Sequence, residues 1–97
     1  MKKNQYETMY IVRPELGDAD VQKLADRYAA VVVDHGGEVA SAGKWDKRKL
    51  AYEIDGYKEG TYVLMQFTAP PGVPAELSRL LGINDDVIRH RIFSIDA

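Results

Sequence analysis

The spacing of apolar residues switches between two periods along this chain, and the order of the switches restricts the fold more than any single residue does. The stretch YETMYIVR, residues 6–13, is rich in aromatic and β-branched side chains and stops at Pro14, which predicts a strand. From Asp18 onward, Val21, Leu24, Ala25, Tyr28, Val31, Val32 and His35 recur every three or four positions, the period of one helix face. Asp18 is placed to cap this helix and Gly36 with Gly37 to end it. EVASAGKWDKRKLAYEI, residues 38–54, then alternates loosely into the turn-like DGYKEG, and TYVLMQFTA, residues 61–69, resumes a strand. Pro74 opens a short helix carrying Leu77, Leu80 and Leu81, Gly82 is placed to close it, and DVIRHRIFSI forms a last strand.

Strand, helix, strand, strand, helix, strand is the split βαβ order of an α+β, ferredoxin-like βαββαβ domain. Such a domain is a four-stranded antiparallel sheet with two helices on one face. The first and third strands are then central, and the second and fourth form the edges. Residues 1–97 contain no repeat, low-complexity tract or long linker, so they are read as a single domain. A hydrophobic content of 45%, with six Tyr and one Trp, excludes a disordered chain.

The absence of cysteine excludes disulfides, a thiolate nucleophile and Cys-ligated zinc. No apolar run is long enough to span a bilayer, and MKKNQYETMY lacks the apolar core of a secretory signal, so a cytoplasmic protein is expected. His35 and His90 lack metal-ligand spacing, and no metal site or cofactor is expected. Ser41, Ser78 and Ser94 lack a nucleophile-elbow context, while Asp85 and Asp86 read as cap and turn residues. The chain therefore reads as neither an enzyme nor the binder of a small-molecule substrate.

Two features remain. Both faces of the central strands are apolar: Tyr6, Thr8, Tyr10 and Val12 oppose Met9 and Ile11, while Val63, Met65 and Phe67 oppose Tyr62 and Leu64. Helices on one face would leave the second set as a patch suited to a partner. Basic residues also gather locally. Lys44, Lys47, Arg48 and Lys49 stand with Trp45 and Tyr52, Lys2 and Lys3 precede the first strand, Arg79 lies in the second helix, and Arg89 and Arg91 share a face of the last strand. Lysines on an edge strand also serve simply to prevent edge-to-edge association. With 13 Lys and Arg against 15 Asp and Glu, a net charge of -2, any contact with a polyanion has to be local or shared.

YETMYIVRPEL at the start, KWDKRKLAYEIDGYKEGTYVLMQF in the middle and NDDVIRHRI near the end resemble the bacterial small-subunit (30S) ribosomal protein six family. The resemblance implies a ferredoxin-like domain that binds the central domain of small-subunit ribosomal RNA as a heterodimer with small-subunit ribosomal protein eighteen. A basic partner would then supply much of the positive charge. It also implies RNA contacts at Lys2, Lys3, Arg79 and Arg89, with Arg91 beside them. Trp45, Lys47, Arg48, Lys49, Tyr52, Tyr62 and Leu64 are expected to meet the partner or make secondary RNA contacts. The RNA site is thus expected at the margin of the last strand, away from residues 44–49.

Two departures from the family pattern are Asp46, where glycine is usual, and Glu53, where proline is common. Asp tolerates a left-handed conformation better than most non-glycine residues, so a bulge at Asp46 is compatible with the sequence at some cost in strain, and the bend there need not follow the path usual in the family. Two other readings of the βαββαβ order stay open. One is a regulatory domain that dimerises through its sheet and holds a metabolite. The other is an RNA-recognition module, for which TYVLMQFTA lacks the signature.

Overall fold

The computed structural model describes residues 4–95, and of residues 42–45 the backbone alone. Its elements are β1 (Asn4–Val12), α1 (Asp18–Asp34), β2 (Glu38–Ile54), β3 (Tyr57–Ala69), α2 (Val73–Gly82) and β4 (Val87–Ser94). The strands form one antiparallel sheet in the order β2-β3-β1-β4, so the expected ferredoxin-like topology is the one adopted.

Register decides which side chains meet the helices. Tyr6, Thr8, Tyr10 and Val12 of β1 pair with Phe67, Met65, Val63 and Thr61 of β3, and all eight are buried. They pack with Val21, Leu24, Ala25, Tyr28 and Val32 of α1 and with Val73, Leu77 and Leu81 of α2. Tyr6 and Phe67 lie with ring centroids 5.5 Å apart, and Tyr10 meets Tyr28 edge-on at the same distance. Burial, together with nearby Tyr28 and Asp26, pushes the Tyr10 phenol above its ordinary pKa.

Two buried hydroxyls of this layer, those of Thr8 and Thr61, have no hydrogen-bond partner among the described residues. Thr8→Val keeps the branched shape and removes a hydroxyl that costs free energy when buried alone. It is expected to stabilise the domain by about 1 kcal/mol. Thermal melts should show the midpoint rising by roughly 4–8 °C.

Element boundaries depart from the sequence reading in instructive ways. The first strand ends at Val12, which leaves Arg13 outside the sheet. Asp18 does not cap α1; Gly17 occupies the N-cap, and Asp18 and Asp20 lie inside the first turn, where their charge complements the helix dipole. The helix ends as predicted, with the N–H of Gly36 bonded to the Val33 carbonyl and that of Gly37 to the Val32 carbonyl. In α2, Gly82 is the last helical residue rather than the stop, and Ile83 is the C-cap.

The loop expected over DGYKEG tightens to two residues. Ile54 pairs with Tyr57, while Asp55 and Gly56 have φ of 49° and 84°. Both central residues therefore have positive φ, the type I′ geometry whose twist suits a hairpin and which Asp-Gly tolerates best. Asp55 is also the one non-glycine residue with positive φ among the described residues, so Asp46 adopts no left-handed bulge. Asp46 instead pairs regularly with Tyr62, and the irregularities of β2 fall between Val39 and Ser41, between Ser41 and Lys44, and between Lys49 and Ile54. Neither helix is long and apolar enough to cross a membrane.

Candidate interface on the open sheet face

With both helices on one side, the alternate residues of the strands line the other. Register arranges them in rows. Tyr62, Ile11 and Arg89 form one row across β3, β1 and β4; Leu64, Met9 and Arg91 form the next; Gln66, Glu7 and Phe93 form the third. The first two rows put an apolar centre between strands and an arginine at the β4 margin. Leu64 and Phe93 are exposed, and Gln66 Nε2 donates to Glu7 Oε2 at 2.9 Å at the polar end of the face. The apolar second surface predicted from strand alternation is therefore present.

Ile11 is buried to 3% exposure although it lies on this open face. The cause is Gly60, where an added Cβ would stand 2.5 Å from Ile11 Cγ2, 3.1 Å from the Val12 carbonyl oxygen and 3.7 Å from Ile88 Cδ1. Without a side chain there, β3 closes down on the two isoleucines. Val12 with Thr61 is the last pair between β1 and β3, so beyond it the β2–β3 hairpin continues as a two-stranded arm.

That arm reaches β4. Arg89 Nη1 donates to the Tyr52 hydroxyl at 2.8 Å. β2 and β4 stand at opposite edges of the sheet, as expected, yet the arm beyond the last β1–β3 pair brings Tyr52 to Arg89. Arg48 also belongs to this face, its Cζ 5.6 Å from the Tyr62 ring centroid and its Nε 3.2 Å from Asp46 Oδ2. Arg91 Cζ stands 5.1 Å from the centroid of the Phe93 ring.

The basic run at residues 47–49 is split by strand alternation. Lys47 and Lys49 take the side opposite Arg48, pairing in register with Thr61 and Glu59, and Lys47 Nζ donates to the Pro14 carbonyl at 3.3 Å. Arg79 is on the helical layer, where its Nε lies 3.2 Å from Glu76 Oε2. The pairing raises the Arg79 pKa and holds the Glu76 carboxyl below its usual range. Both groups are open to solvent, so the pair adds little to stability. Among the described residues no hydrogen bond or ion pair links Arg79 to the strand that carries Arg89 and Arg91. Lys2 and Lys3 lie outside the described residues, as does the side chain of Trp45.

One cluster was not read from the sequence. Arg13 Nε donates to Asp86 Oδ1 at 2.6 Å, and the Arg13 N–H to the Asp86 carbonyl at 2.9 Å. The Asp86 carboxylate is the main reason the Arg13 pKa is raised. The Asp86 N–H bonds Asn84 Oδ1, and Asn84 Nδ2 donates to the Tyr28 hydroxyl at 2.7 Å. These bonds tie the loop before β4 to the end of β1 and to α1, fixing the strand from which Arg89 and Arg91 project. Asp86 was read as a turn residue, which it is; its ion pair escaped because its partner is 73 residues away.

His90 is half-buried against α2, with Nε2 3.0 Å from Ser78 Oγ, and His35 Nδ1 lies 2.8 Å from the Val31 carbonyl. Both histidines are thus engaged within the fold.

A ferredoxin-like sheet whose uncovered face carries apolar rows bordered by arginines defines a structural, surface-binding class of protein. Residues 5–94 match the family model described as ribosomal protein S6. The chain is 52% identical over 87 residues to small ribosomal subunit protein bS6 of Desulforamulus reducens, covering 90% of this chain and 92% of that one. It is 42% identical over 93 residues to the bS6 protein of Clostridium acetobutylicum, covering 96% and 98%. The fold superposes on the crystal structure of 30S ribosomal protein S6 from Thermotoga maritima with a TM-score of 0.83 and 26% identity, over 96% of this chain and 88% of that one. The chain belongs to the ribosomal protein S6 family, a structural and non-enzymatic component of the small ribosomal subunit in the bacterial cytoplasm.

Proposed function

We propose that the chain binds the central domain of small-subunit ribosomal RNA jointly with small-subunit ribosomal protein eighteen. The observation that carries this reading is the uncovered sheet face, where Met9, Tyr62 and Leu64 form an apolar strip that ends on Arg89 and Arg91. Apolar rows suit a protein surface, and the arginine margin suits phosphates. Lys2, Lys3, Arg79, Arg89 and Arg91 serve as RNA contacts. Trp45, Lys47, Arg48, Lys49, Tyr52, Tyr62 and Leu64 serve the protein contact or a secondary RNA contact.

A net charge of -2 supports sharing, because the chain by itself has no general attraction to a polyanion. Each phosphate neutralised releases counterions, so affinity should fall with salt, with a slope of up to about 0.9 per contact by the duplex estimate. The test is RNA affinity measured across salt concentrations with and without protein eighteen. Tight binding is expected only with the partner present, and Arg89→Glu should weaken it and flatten the salt slope. Affinity equally tight without the partner, or indifferent to salt, counts against the reading.

A further inference from the structure

The three arginines of the open face each engage an aromatic side chain, and one engagement differs from the other two. Arg48 stands over the Tyr62 ring and Arg91 over the Phe93 ring, so each of those rings already carries a cation on a face. Arg89 instead meets Tyr52 at its hydroxyl, 2.8 Å from Nη1, at the rim of the ring. Tyr52 is 62% exposed and makes no ring or cation contact among the described residues. Most of its surface is therefore open to solvent beside a guanidinium whose position the hydroxyl helps to set.

A guanidinium has five N–H donors in one plane, and a single bond to Tyr52 leaves the others for an outside acceptor. An exposed aromatic side chain next to fixed donors for an anion matches an unpaired nucleotide: the base stacks on a ring and the phosphate takes charge-assisted hydrogen bonds. A protein surface fits less well, since it would have to bring a carboxylate to the same arginine while covering the ring.

We propose that Tyr52 and Arg89 form one site for a single unpaired nucleotide of RNA, with the base on the Tyr52 ring and the phosphate on Arg89. The site spans two elements, the β2–β3 arm and β4, and exists only where the arm closes on the last strand. The inference rests on the RNA-binding reading given above and narrows it to one nucleotide.

The probe is a fragment of the central domain of small-subunit ribosomal RNA with 2-aminopurine replacing its unpaired purines, one per RNA, bound to the full chain with protein eighteen. One position is expected to show quenched fluorescence on binding. Tyr52→Leu should abolish that quench and weaken binding about tenfold, the scale of one base stacked on an aromatic ring. Tyr52→Phe should keep the quench but reduce affinity only while Arg89 is present, so that it has no further effect on Arg89→Ala. Both side chains are exposed, and thermal melts of the free variants should match the parent.

If Arg89→Ala weakens RNA binding and Tyr52→Leu does not, the nucleotide site is overturned and the broader reading stands. If Tyr52→Leu weakens association with protein eighteen in the absence of RNA, the tyrosine belongs to the protein contact and the inference falls. If neither variant alters RNA affinity, the assignment of RNA to this margin falls with it.

Discussion

Phe67→Ala should lower the unfolding free energy by about 3–5 kcal/mol, measured by urea denaturation. Phe67 is 2% exposed on the central strand β3, packed beside Tyr6 within the layer that both helices cover. Truncation removes the buried ring and leaves a cavity that a sheet held on both sides by hydrogen bonds cannot easily collapse. Against a total of roughly 5–15 kcal/mol for a domain of this kind, the variant should retain only marginal stability. A loss below about 1 kcal/mol would mean that the helices re-close over the gap, contrary to tight interlayer packing.

Gly60→Val should cost about 2–3 kcal/mol, the upper part of the range for overpacking. The new Cβ would meet Ile11 Cγ2 at 2.5 Å and the Val12 carbonyl oxygen at 3.1 Å. Ile11 can turn aside only by leaving its buried place, and the carbonyl cannot move without disturbing the β1–β3 ladder. The arm would then leave the sheet at another angle, separating Tyr52 from Arg89. Thermal melts measure the first effect, expected at roughly 4–8 °C per kcal/mol. RNA affinity measures the second: Tyr52→Leu should lose most of its effect in the Gly60→Val background.

Topology was legible in the sequence because each element announces its own period. Alternation in TYVLMQFTA assigned Val63, Met65 and Phe67 to one face and Tyr62 and Leu64 to the other, and the register with β1 keeps that division. The same rule applied to residues 47–49 would have split Arg48 from Lys47 and Lys49; treating them as one basic cluster hid that they face opposite sides. Asp46, a departure from the family pattern, sits in regular register with Tyr62, and the irregularities of β2 fall on either side of it, a placement that single residues do not announce.

The candidate site was half legible. Arg89 and Arg91 could be placed on one face by counting, whereas the Tyr52–Arg89 bond depends on the coiling of an arm beyond the last β1–β3 pair. Strand order alone puts those residues on opposite edges. Arg13 with Asp86 was hidden for a related reason: an ion pair between loops at two strand ends has no local pattern in the sequence.

The position of β1 between β3 and β4 has a consequence for how the molecule is made. Met9 takes Leu64 on one side and Arg91 on the other, so β1 is completed by a strand synthesised much later. Until β4 has left the translating ribosome, β1 presents a row of unpaired backbone groups, a template open to the wrong strand. Pairings this distant in sequence also close slowly. A nascent chain stalled before Val87 should therefore be held by chaperones or lost to aggregation, whatever the quality of its core.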